Sequence, residues 1–174
     1  MLQSFAEPLL TGLFALWPFH ISAGRQGDAP GFALWQLVTY SFLHGNLMHL
    51  LFNMLALYMF GSDIERVFGS RRFATYYFVC VVTAAVIQLL VSAAGDMPSY
   101  PTVGASGGVF GLLLAFGLYF PRRIVMLIFP PIPLPAWLFV TLYGLLELFL
   151  GVTGTQQGVA HFAHLGGMLG GFLQ

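Results

Sequence analysis

Between residues 73 and 94 the sequence carries no charged side chain, and a helix needs about 20 mainly apolar residues to cross the hydrocarbon of a bilayer. Cutting the rest of the chain at proline, glycine and charge clusters leaves five further apolar runs, roughly 8–21, 47–61, 105–120, 135–150 and 159–174. Backbone groups in lipid find no water to bond to, so such runs must fold as helices that pack on one another. The composition agrees: 7% of residues are charged and 58% hydrophobic, where a water-soluble domain carries about a quarter charged residues. The expected fold is an all-α membrane protein, a six-transmembrane-helix bundle forming one domain over residues 1–174.

The N-terminus has no Lys/Arg-rich region and no small-residue cleavage site ahead of a soluble part, so the first run is expected to stay as a span. Several runs are shorter than a full crossing, which suggests helices that start below the membrane surface. The last run is the shortest for its role, and the sixth span is expected either to continue past Gln174 or to be cut short there. The long connection 22–46 mixes aromatic and polar residues and reads as a membrane-interfacial first loop containing short helices. Arg66, Arg71 and Arg72 follow the second run, and Arg122 and Arg123 follow the fourth, whereas the other short loops hold only Arg25. By the positive-inside rule the five-arginine side is cytoplasmic. Both termini then lie in the cytoplasm, and Ser106 lies near the external end of span four. A formal net charge of zero gives no electrostatic pull toward nucleic acid or an acidic substrate. The single cysteine, Cys80, reads as a small buried hydrophobe.

Strongly polar side chains are expensive inside a span and tend to face the bundle interior. His49 and Asn53 stand four residues apart on span two, His161 and His164 three apart on span six, and Glu147 is on span five. Any one of them can be a plain interhelical hydrogen bond of about 0.6 kcal/mol. Together they carry more information, because His49, Asn53, Ser106, His161 and His164 all fall in the external halves of three spans. Gly104/Gly108, Gly107/Gly111, Gly166/Gly170 and Gly167/Gly171 form small-xxx-small pairs that let helices four and six approach closely. That approach would bring Ser106 within reach of one of the two histidines. A serine needs such a base to attack a carbonyl, and the unpaired N–H groups at a helix start can hold the resulting oxyanion.

The stretches HLLFN (49–53), GASG (104–107) and AHLGGMLGG (163–171), in this order on spans two, four and six, resemble the signatures of the rhomboid intramembrane serine proteases, and the likeness runs from FALWQ in the first loop to the end. The resemblance implies a bundle of the rhomboid type, with Ser106 as nucleophile and His164 as general base in a dyad that uses no acid. His164 is preferred to His161 because Gly167 and Gly171 follow it at the family's spacing. It also implies that His49 and Asn53 assist the Ser106 amide in the oxyanion hole. Gly104, Gly107, Gly111, Gly167 and Gly171 are the close-packing positions, and His161 and Phe110 are accessory. Two departures stand out: Gln36 follows Trp35 where the family often has arginine, and Phe110 stands where some members have tyrosine. Glu147 is expected to be protonated or hydrogen-bonded in place.

The activity implied is endopeptidase cleavage in or near transmembrane segments of membrane-protein substrates. It requires no cofactor, no metal and no nucleic acid, in what would be a bacterial inner membrane with the site open to the periplasmic side. Span five is read as a lateral gate, 151–158 as a mobile lid, 129–135 as a rigid turn, and 63–73 as a solvated loop in which Glu65 pairs with Arg66. Two other readings remain. One is a catalytically silent relative that binds membrane clients. The other is a metal site made from His44, His49, His161 and His164, which lacks an HExxH pattern and an acidic ligand on the same helices.

Overall fold

The computed structural model describes residues 2–19, 31–94, 100–127, 130–154 and 159–174, with the side chains of residues 2–7 left aside. Arg25 and the glycines around it, and residues 155–158 of the expected lid, lie outside the described residues. The chain is predominantly helical. Helix α1 (Leu2–Phe14) is followed by α2 (Gln36–Thr39), which runs into a 3-10 turn at Tyr40–Phe42. Helix α3 (Leu47–Ala56) passes through a wide turn at Leu57–Gly61 into α4 (Ser62–Phe68). Then come α5 (Ser70–Ala94), α6 (Ser106–Tyr119), α7 (Ala136–Thr153) and α8 (His161–Phe172).

Among the described residues three helical stretches are long and apolar enough to cross a bilayer: Leu47–Phe68, Ser70–Ala94 and Ala136–Thr153. Helix α6 has 14 residues, about 21 Å at 1.5 Å per residue, against a hydrocarbon core of about 30 Å. An α6 centred in the bilayer therefore has both ends below the surface. It is also buried on nearly all sides, the mark of a central helix. Large apolar side chains such as Leu34, Tyr58 and Phe149 stay exposed on the periphery, as they do on a protein whose solvent is lipid.

Residues 63–73 are not a loop. The α3–α4 helix continues to Phe68, and Gly69, at φ 76°, breaks it with a left-handed turn before α5 begins; a residue bearing a Cβ is strained there. Arg66 pairs with Asp63 rather than Glu65, at 3.2 Å, and Arg123 reaches the same carboxylate at 2.8 Å. Asp63 thus ties the end of the α3–α4 stretch to the segment after α6. The proline-rich connection is a short hairpin rather than a plain turn: β1 (Ile124–Met126) pairs antiparallel with β2 (Pro133–Pro135).

The segment around α2 is fastened to the bundle by its own polar groups. Gln36 is fully buried. Its side chain accepts from the Trp17 amide at 3.2 Å and donates to the carbonyls of Leu13 and Gly31. Trp35 Nε1 also donates to the Leu13 carbonyl, at 2.8 Å. Leu16 and Thr102 exchange backbone hydrogen bonds, and the Gly104 amide donates to the Tyr40 carbonyl. The Tyr40 hydroxyl donates to the Val81 carbonyl at 2.9 Å. Gln36 is therefore a stitch between the first helix and the loop after it.

Candidate active site

Helix α8 packs against both α5 and α6, and glycines let the elements approach closely. A Cβ on Gly167 would collide with the Gly107 carbonyl, one on Gly111 with Cys80, and one on Gly171 with the Tyr76 hydroxyl. Gly108, Gly166 and Gly170 meet Tyr77, Ile87 and Thr83 of α5 in the same way, so α5 shares in a packing that the glycine pattern suggested for α6 and α8. Gly104 is different. It precedes α6 and packs no helix against another; its φ is 127°, and a Cβ there would come within 2.8 Å of His49 Nε2. The glycine lets the chain turn into α6 with the His49 ring lying directly against it.

That turn delivers Ser106 as the first residue of α6. Its Oγ lies 2.8 Å from His164 Nε2. On its other edge His164 Nδ1 lies 2.8 Å from Glu147 Oε2, and the same oxygen is 2.7 Å from His161 Nδ1. The His164 ring is stacked on Phe110, with centroids 4.2 Å apart and planes 5° from parallel, and Phe110 in turn meets Tyr143. One face, one edge and the reactive nitrogen of the imidazole thus each have a partner.

His49 and Asn53 line the same cavity, of about 500 Å³, as Ser106, Phe110, Tyr143 and His164. Asn46 caps α3 by accepting from the His49 amide at 2.8 Å, which satisfies a helix-start N–H that would otherwise go unpaired. The Gly45 amide donates to His49 Nδ1 at 3.4 Å. In a neutral ring this leaves the proton on Nε2, the nitrogen that faces Gly104 and Ser106. Asn53 is buried and donates one amide hydrogen to the His49 carbonyl at 2.9 Å, leaving a second for the cavity. Ala105, the residue before α6, makes no side-chain cap, so the first N–H groups of α6 stand at the cavity without an intrahelical partner. The arrangement offers a hydroxyl with an adjacent base and several donors aimed at one space, which is the equipment of acyl transfer.

The four histidines do not form one cluster. His44 and His49 make a separate edge-to-face pair with centroids 5.1 Å apart. Outside the spans, burial and then the neighbouring His49 hold His44 below the usual imidazole range. The donor atoms that converge are those of Glu147, His161 and His164, all within 4.8 Å of one another. Two nitrogens and an oxygen are a set that zinc accepts. The carboxylate that sequence reasoning found missing from the histidine helices is supplied across the bundle by α7. The signal for it was present as a lone acid on an apolar span, but nothing local indicated which helix it faced.

The chain matches a family model and several known proteins. The family model of the rhomboid domain matches residues 31–174. RHOMBOID-like protein 4 of Arabidopsis thaliana is 36% identical over 147 residues, covering 80% of this chain and 32% of that protein. Rhomboid protease GluP of Bacillus subtilis (strain 168) is 31% identical, covering 79% of this chain and 25% of its own length. Putative rhomboid protease YdcA of the same strain is 30% identical over 158 residues, 91% of this chain and 73% of that protein. The chain thus spans a third or less of the first two relatives and about three quarters of the third.

Proposed function

The chain belongs to the rhomboid family, and from that premise we propose that it is an intramembrane serine endopeptidase that cuts membrane proteins in or near their transmembrane segments. The observation that carries the reading is the 2.8 Å contact between Ser106 Oγ and His164 Nε2 at the edge of a cavity lined by His49 and Asn53. In the proposed reaction Ser106 Oγ bonds to the scissile carbonyl carbon and its proton passes to His164 Nε2. The carbonyl π pair moves onto oxygen, where the Ser106 N–H, His49 Nε2–H and Asn53 amide receive it. Collapse breaks the C–N bond, and His164 returns the proton to the leaving amine. Water then repeats the sequence on the acyl-enzyme with the same base.

Residues 1–174 are read as one domain with six crossings, α1, α3–α4, α5, α6, α7 and α8, and with the arginine-rich ends cytoplasmic. The cavity then opens to the external side, the periplasmic face if the membrane is a bacterial inner membrane, and water reaches the site from there. A helical substrate must unwind to offer its carbonyl, so small or helix-breaking residues are expected near the cut.

The test is incubation of wild type, Ser106→Ala, His164→Ala and His161→Ala with a single-span substrate in liposomes, with and without EDTA. Cleavage by wild type is expected to fall to background in the first two variants and to persist in the third. Fluorophosphonate labelling of wild type should be lost in Ser106→Ala. Absence of cleavage by wild type would favour a client-binding role. Loss of activity on chelation would assign Glu147, His161 and His164 to a metal instead.

A further inference from the structure

We infer that Glu147 is a positioning residue that fixes the protonation pattern of the His164 imidazole, so that the site works as a serine–histidine–glutamate relay with His161 as a second anchor on the carboxylate. This rests on the protease reading of Ser106 and His164.

The carboxylate comes from α7, and its side chain is only 6% exposed. An uncompensated carboxylate at that depth is costly, so its partners matter. A single oxygen, Oε2, meets two imidazole nitrogens, His161 Nδ1 at 2.7 Å and His164 Nδ1 at 2.8 Å. An oxygen that accepts from both satisfies the two contacts together, because a carboxylate oxygen carries more than one lone-pair site. Each histidine then holds its proton on Nδ1. For neutral His164 the consequence is chemical: Nε2 keeps its lone pair and can receive the Ser106 proton. The opposite tautomer would donate from Nε2–H to Ser106 Oγ, with no lone pair left there to take the serine proton, and would leave Nδ1 and Oε2 as two facing lone pairs.

Attack on the carbonyl turns His164 into an imidazolium. Its neighbours are then Glu147 from α7, His161 on its own helix, His49 from α3, and Ser106 and Phe110 from α6, with Tyr143 of α7 behind Phe110. Among the described residues Glu147 is the one carboxylate in that shell, so it stabilises the charge that forms during the step. His161 holds the other side of Oε2 and prevents the carboxylate from rotating away. Its Nε2 is buried without a hydrogen-bond partner among the described residues, so the ring's measurable polar contact is with Glu147.

The experiment measures cleavage of a single-span substrate and the tautomer of His164, read by nitrogen-15 chemical shifts on histidine-labelled full-length protein in detergent at pH 8. Wild type is expected to carry the His164 proton on Nδ1. Glu147→Gln should lower kcat at least about 10-fold, as removal of support from a general base does, with KM within about twofold and with Nδ1–H no longer the sole species. A wild-type protein with the His164 proton on Nε2 overturns the inference without any variant. So does an unchanged tautomer and kcat in Glu147→Gln. If wild type does not cleave while its Nδ1–H state still depends on Glu147, the protease reading fails and the positioning role stands.

Discussion

Two halves of the bundle are built on opposite rules. Where α5, α6 and α8 meet, glycines admit a neighbouring backbone or side chain against the helix, and a methyl group added at Gly167, Gly111 or Gly171 would collide with the Gly107 carbonyl, Cys80 or Tyr76. Between α3 and α7 the lining is large and apolar, with Phe52, Leu55, Met59, Leu142 and Leu146 around a groove of about 620 Å³. The exposed fractions of Phe52 and Leu146 are 54% and 47%. The close half leaves no freedom in the distance from Ser106 to His164. The open half presents an apolar groove between α3 and α7 beside the site. The proposed protease activity would need both, because a near-attack geometry tolerates little displacement while a transmembrane substrate would arrive from the lipid. Glu147 sits at the join, on the helix of the open half but bonded to the histidines of the close one.

The sharpest way to break this comparison is to force the close half apart. Gly167→Val should push α8 off the Gly107 carbonyl and cost about 1–3 kcal/mol or more, seen as a lower unfolding temperature in detergent together with loss of nearly all cleavage. A stable, active Gly167→Val would show that the backbone contact does not set the site. Bridging the open half comes next. Linking Phe52→Cys on α3 to Leu146→Cys on α7 with a bifunctional thiol reagent should stop cleavage of a single-span substrate and leave fluorophosphonate labelling of Ser106 near its unlinked rate. Full cleavage in the linked protein would mean that substrate reaches the site by another route.

Smaller effects test how the imidazole is held. Phe110→Ala removes the stacked face, and a ring pair of about 0.5–1.5 kcal/mol corresponds to a fall in kcat of roughly two- to tenfold, with Phe110→Tyr close to wild type. Smallest is the response of His44. Its lowered pKa means that the folded state prefers the neutral ring. The resulting stability is present above the unfolded value near about 6.5 and is lost as pH falls through the lower folded value. His44→Gln should flatten that part of a thermal stability profile and leave cleavage at pH 7.5 within about twofold.

Much of the site was legible in the chain itself. Ser106, His164, His49 and Asn53 stand out because polar groups in apolar spans are few, and their order along the spans carried the family resemblance. The glycines at 107, 111, 167 and 171 were legible through their four-residue spacing, the repeat that puts them on one face of a helix. Gly104 carried the same spacing and does a different job, because a spacing rule assumes that the helix extends to include it and α6 begins only at Ser106. The loop expected at 63–73 failed for the related reason that charge clusters mark a water-facing stretch without saying whether it is helical. The Glu65–Arg66 pairing went to Asp63 and, through it, to Arg123 sixty residues away, a partner that local spacing does not reveal.

The sequence by itself determined that the chain lives in a membrane, which runs become helices and which few side chains could do chemistry, since each of these follows from hydropathy and local periodicity. Only the tertiary structure decided that Gln36 fastens the first loop, that α5 joins the glycine-packed core, and that Glu147 meets both histidines on one oxygen. Those contacts join residues on different helices, and an apolar helix can rotate in lipid at little hydrophobic cost, so the face it presents is fixed by the shape and polar groups of its neighbours.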